Sequence, residues 1–258
     1  MGRWLLTCLV LPALCLCFAA ATWGQDLAQK GNLRVAFSGA LNPKRLPRSG
    51  RKPVSVQIGG AITTTDGSLP PTFNHLEIAL NNKGRLDPGA LPTCRASEIQ
   101  PSTTAYALQV CGRARVGEGT FDAAVAIPEQ APFPSVGEVV AFNGIEHGRP
   151  VILLHIYGTT PVPTSLTVPL AIKRGKGEFG TVLSGDMPSV DAKVGFVKGI
   201  SLRLDRKVGR GGRAYLSAGC PAPKGFPGAV FSLAKVAFSF GGGRTLRSTL
   251  VRNCRAIG

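Results

Sequence analysis

From Leu33 to Arg252 the chain is a succession of short alternating runs, each closed by glycine, proline or asparagine, and this pattern constrains the fold most. In Leu33, Val35 and Phe37, and again in Val54, Val56 and Ile58, apolar side chains fall at every second position. That period places them on one face of a strand. Leu76, Ile78 and Leu80 repeat the pattern and stop at Asn81-Asn82-Lys83-Gly84. Further β-rich runs cover 120–127, 138–143, 151–157, 166–172, 179–184, 194–204, 213–217, 230–240 and 245–252. The segment Asn143 to Gly148 predicts a hairpin turn. Gly241-Gly242-Gly243 predicts another, because glycine reaches positive φ without strain. Strands spaced about 8–15 residues apart, with no long helical period, predict an all-β domain. The expected form is a single antiparallel two-sheet sandwich over residues 33–258, preceded by a short tail, 22–32.

Only between Cys94 and Cys111 does the period change. Ser102, Thr103 and Thr104 can cap a helix beginning after Pro101, with Ala105, Leu108 and Cys111 on one face. One or two short helical turns are expected there, stapled by their own disulfide.

The N-terminus has the layout of an export signal. Arg3 supplies a positive start, Trp4 to Phe18 is apolar, and Ala19-Ala20-Ala21 offers a small-residue cleavage site. The expected signal peptide is 1–21. Its apolar run falls short of the ~20 residues of a membrane span. Cleavage would remove Cys8, Cys15 and Cys17 and leave Cys94, Cys111, Cys220 and Cys254, an even number in an oxidising compartment. Adjacency along the chain predicts the pairs Cys94–Cys111 and Cys220–Cys254. Neither pair has the C-x-x-C or histidine spacing of a zinc site. The expected location is secreted or envelope-associated, with no transmembrane span after cleavage.

Charge points to partners. The formal net charge is +16, and removing 1–21 takes away Arg3 and no acid, leaving +15. Such a surface attracts polyanions. The candidate anion-binding residues are Lys44, Arg45, Arg48, Arg51 and Lys52 in one segment, and Arg203, Arg206, Lys207, Arg210 and Arg213 in another. The competing role for such charge is solubility and the protection of exposed strand edges. Anionic envelope polymers or lipid headgroups are the expected partners. Nucleic acid is not expected, since aromatics make up 7% of the chain and stacking platforms are few.

No motif marks a reaction. G-x-S-x-G is absent, no acidic calcium loop appears, and no cofactor signature is present. No catalytic, metal-binding or cofactor-binding residue is therefore assigned. His155 shares a strand face with Leu153 and Tyr157 and is read as a hydrogen-bonded histidine in a mostly buried strand. His75 and His147 are read as solvated. The alternative is a secreted hydrolase of an extracellular polymer or ester, in which His155 is the base and Glu138 or Asp186 its carboxylate partner.

Five segments carry a resemblance: LPTCRASEIQPSTTAYALQVCGRARVGEGTF, APFPSVGEVVAFNG, LLHIYGTTPVPTSLTVPLAI, KGEFGT and CPAPKGFPGAVF. In this order they resemble a family of secreted bacterial all-β proteins with no assigned activity, over about Leu33 to Cys254. The resemblance implies export and an all-β fold, and no site residue. The sequence thus leads to an exported, non-enzymatic binding or structural protein, envelope-associated or extracellular.

Overall fold

The structure, a computed structural model, describes residues 25–160, 162–188 and 195–258. The expected signal, 1–21, lies outside these residues. Of the described residues, 62% lie in strands and 11% in helical turns. In chain order the strands are β1 (Gln25–Lys30), β2 (Leu33–Asn42), β3 (Arg45–Pro47), β4 (Lys52–Pro53), β5 (Ser55–Thr64), β6 (Phe73–Asn81), β7 (Gly84–Leu86) and β8 (Arg115–Val125). There follow β9 (Phe133–Glu146), β10 (Arg149–Gly158), β11 (Thr164–Arg174), β12 (Phe179–Asp186), β13 (Gly195–Leu204), β14 (Leu216–Ala218), β15 (Gly228–Phe240) and β16 (Arg244–Ile257). The first strand falls within the stretch expected as a tail.

The architecture corrects the expected sandwich. A single ladder joins 13 strands in the order β1-β2-β5-β13-β8-β9-β10-β11-β12-β6-β15-β16-β3, and β4-β14-β7 form a separate small sheet. Every contact in the large sheet is antiparallel except β16 with β3. In place of two packed sheets of like size, the large sheet curls until its ends face each other. Phe37 of β2 meets Phe238 of β15 edge-on at 6.0 Å, and Arg252 Nε of β16 donates to Gly39 O of β2 at 2.7 Å.

Glycine and bulges supply the curvature. In β8 a Cβ on Gly119 would stand 1.8 Å from Ser201 O of β13, so no other residue fits that approach. The same ladder slips in register between Val197 and Gly199, and a bulge adds twist. Both expected hairpins form, the first with a tighter turn than 143–148, since β9 continues to Glu146. β9 and β10 are joined by His147 and Gly148 at φ 48° and 74°, and β15 and β16 by Gly241–Gly243, with Gly242 at φ 69°.

Alternation decides what each strand buries. Val35, Phe37, Ile78, Leu183, Val236 and Phe238 point into the curl and form the main core. Strands β9 and β10 are covered on both faces. Val139, Ala141, Ile152 and Leu154 face inward, while Val140, Phe142, Val151 and Leu153 pack under the helical insert. The insert consists of α1 (Ala96–Ile99) and α2 (Thr104–Cys111). Thr103 caps α2, its side chain accepting from Tyr106 N at 3.3 Å. The buried face of α2 is Ala107 and Cys111; Ala105 and Leu108, expected on that face, are exposed. Asn143 anchors the approach to the insert by donating to the carbonyls of Pro88, Leu91 and Pro92 at 2.9, 3.2 and 2.9 Å.

Both disulfides pair as chain adjacency predicts. Cys94–Cys111 closes the insert, and Cys220–Cys254 ties the segment after β14 to β16. Among the described residues, no helix is long and apolar enough to cross a membrane.

Candidate functional site

Strands β6 and β12 bring together a hydroxyl, an imidazole and a carboxylate. Ser184 and Asp186, separated by Gly185 on β12, share one face of the strand, while the preceding Leu183 points to the other and is buried in the core. In the ladder Asp186 stands opposite His75 of β6, and Ser184 opposite Glu77. The His75 ring spans both residues of β12: Nδ1 lies 2.6 Å from Asp186 Oδ1, and Nε2 lies 3.2 Å from Ser184 Oγ. Lys173 Nζ, from β11, donates to the same Ser184 oxygen at 3.4 Å.

The carboxylate can only accept, so in the neutral imidazole Nδ1 carries the proton and Nε2 is left with its lone pair toward the Ser184 hydroxyl. Exposure is graded across the group. The Asp186 side chain is 90% exposed and that of His75 33%, whereas Ser184 is buried at 8%. The sequence reads His75 as solvated and offers Asp186, or Glu138, to His155 only in the hydrolase alternative. The S-x-D spacing on a strand was the available signal. The pairing of β12 with β6, 111 residues apart at His75 and Asp186, was not legible.

His155 is elsewhere and partnerless. It sits on β10 opposite Val140 and Thr167, is fully buried, and has no hydrogen bond at either ring nitrogen among the described residues. Neither Glu138, exposed on β9 opposite Tyr157, nor Asp186 bonds it. The alternative of a hydrolase built on His155 therefore finds no carboxylate partner at that position, and the hydrogen bond expected for a structural histidine is absent too.

Burial without partners disfavours the imidazolium and pushes the His155 pKa below 6.5. The unfolded chain then takes up a proton that the folded chain refuses. Stability is expected to fall as pH drops through about 6.5, by up to ~1.4 kcal/mol per pH unit for this group, levelling off below the folded-state pKa. Urea unfolding at about pH 7.5 and about pH 5 checks this. His155→Leu should flatten the dependence; an unchanged slope would show that other groups cause it.

The candidate anion-binding residues divide into two groups. Four of the ten are engaged internally. Arg48 donates to the carbonyls of Ala222, Pro223, Phe226 and Gly258, and Arg51 to those of Asn82 and Lys83. Arg213 holds Asp87 at 2.7 and 3.0 Å, and Arg203 Nε lies 3.5 Å from Asp205. Those arginines fasten loops. The side chains of Lys44, Arg45, Lys52, Arg206, Lys207 and Arg210 have no partner among the described residues.

The small sheet draws the two basic segments together. Ala218 of β14 pairs with Lys52 of β4, and Tyr215, just before β14, donates its amide to Lys207 O at 2.9 Å. The third strand, β7, adds Arg85 opposite Ser217, and Lys83 precedes it; both are exposed and neither was singled out from sequence. An apolar cleft lined by Leu41, Val56, Phe231 and Leu233 opens beside this sheet, with Lys83 and Arg85 also in its wall.

Cys94, Cys111 and Glu98 bring their ligand atoms within 4.8 Å of one another. The two sulfurs are joined, so the cluster offers no thiolate to a metal. No family model matches the chain, and neither does any curated protein or solved structure.

Proposed function

We propose that the protein is exported and binds anionic envelope surfaces through the end that carries the small sheet. The observation behind this reading is the convergence of Lys52, Lys83, Arg85 and the 206–210 loop around one three-residue strand, β14. Of the nearby acids, Asp87 is taken by Arg213 and Asp205 lies 3.5 Å from Arg203. The net charge, +16 for the full chain and +15 without residues 1–21, adds long-range attraction. The adjacent apolar cleft favours lipid headgroups over a bare polymer, because the cations flank a surface that accepts methylene groups.

Co-sedimentation with phosphatidylglycerol vesicles tests the reading, with phosphatidylcholine vesicles as the neutral control. Each cation near an anionic bilayer contributes about 1 kcal/mol. Replacing Lys52, Lys83 and Arg85 together by alanine is expected to weaken binding by ~3 kcal/mol, about 100-fold. Binding of the unaltered protein should fall steeply from ~0.01 M to ~0.15 M salt, as the screening length shrinks from ~30 to ~8 Å. Equal binding to neutral vesicles, or retention that ignores salt, would overturn it.

A further inference from the structure

We infer that Ser184 is an activated nucleophile with His75 as its base, and that the outer face of β6 and β12 cleaves small acyl esters. This goes beyond surface binding and departs from the expectation of a protein without catalytic residues. The site shares no residue with the small-sheet face.

Three contacts carry the inference. The Asp186 carboxylate at 2.6 Å from Nδ1 fixes the imidazole tautomer and would stabilise its protonated form. Nε2, left as acceptor, is 3.2 Å from Ser184 Oγ, within reach of the proton it must remove. A serine hydroxyl is a weak nucleophile until such a base takes its proton. The Lys173 ammonium, 3.4 Å from Oγ, places a full positive charge where an oxyanion would develop. A carboxylate, imidazole and hydroxyl in this relation are recognised by geometry, whatever their order in the chain. Here that order is His75, Ser184, Asp186.

The chemistry balances without a cofactor. Ser184 Oγ attacks the ester carbonyl carbon as its proton passes to His75 Nε2. The C–O bond to the alcohol breaks, and the leaving oxygen takes the proton from Nε2. Water then attacks the acyl-enzyme, giving its proton to Nε2, and the carboxylic acid departs as Ser184 regains a hydrogen. Ser184 is only 8% exposed, so the reacting acyl group must be small. Opposite it on β11 stands Ala171, a small neighbour.

A fluorophosphonate probe tests nucleophilicity directly. Oγ displaces fluoride at phosphorus, leaving a stable adduct on the peptide that contains Ser184. The expected result is labelling of the folded protein at Ser184 and turnover of p-nitrophenyl acetate, both abolished by Ser184→Ala. His75→Gln should slow labelling by about 100-fold or more, the range for loss of a general base. Asp186 acts through His75 as a positioning residue, so Asp186→Asn should lower kcat and leave KM unchanged. All three side chains lie on the outer face, and circular dichroism verifies that the variants fold. No labelling above a heat-denatured control, adducts at other serines, or Ser184 labelling at full rate in His75→Gln would overturn the inference.

Discussion

Phe238→Ala is expected to destabilise the protein by about 3–5 kcal/mol, the range for removing a buried phenyl ring and leaving a cavity. Phe238 is 5% exposed, and its ring lies 6.0 Å from that of Phe37 and 5.9 Å from that of Phe73. Phe73 in turn is 5.4 Å from Phe240. The chain of rings joins β2, near one end of the ladder, to β6 and β15, near the other. Truncation therefore removes packing on both walls of the curl, and neither wall can collapse into the gap without moving a strand. The urea midpoint measures the effect. Phe238→Leu keeps most of the volume and should cost clearly less. A loss below about 1 kcal/mol for the alanine variant would show that the curl does not depend on this contact.

Replacing Cys220 and Cys254 together by serine is expected to cost about 2–5 kcal/mol. Both residues are buried, and their bond ties the segment after β14 to β16, where no hydrogen-bonded ladder connects the small sheet to the large one. The same substitution at Cys94 and Cys111 should cost less. Loop length contributes little to that difference: separations of 34 and 17 residues differ by one doubling, worth ~0.6 kcal/mol in closure entropy. The larger part comes from position. Cys94–Cys111 closes a short insert on the outside of β9 and β10, whereas Cys220–Cys254 holds part of the main core. Thermal melting of both double variants tests the ranking, and a larger loss at Cys94–Cys111 would reverse it.

The Ser184 and His75 pair shows where sequence reading stopped. The sequence ends the expected strand at Ser184, whereas β12 runs on to Asp186 and so puts both residues on one face. What alternation does not encode is the neighbouring strand. Backbone hydrogen bonds are alike for every partner, so nothing local to β12 says that β6 will lie beside it. The basic segments met the same limit. Their charge was plain, yet Arg48 and Arg213 turned out to hold carbonyls and a carboxylate, while Lys83 and Arg85 joined the face through β7.

By itself the sequence determined the local features: strand periods, glycine turns, a capped helix between Cys94 and Cys111, and two disulfides between chain neighbours. These depend on residues close together, where side-chain period, backbone freedom and loop closure act directly. Only the tertiary structure decided that β13 enters between β5 and β8, and that one ladder curls where two sheets were expected. It also buried His155 without partners and gave Asp186 to His75. Those outcomes follow from which apolar faces meet and how close glycines let strands approach, and such pairings exist only once the whole sheet has formed.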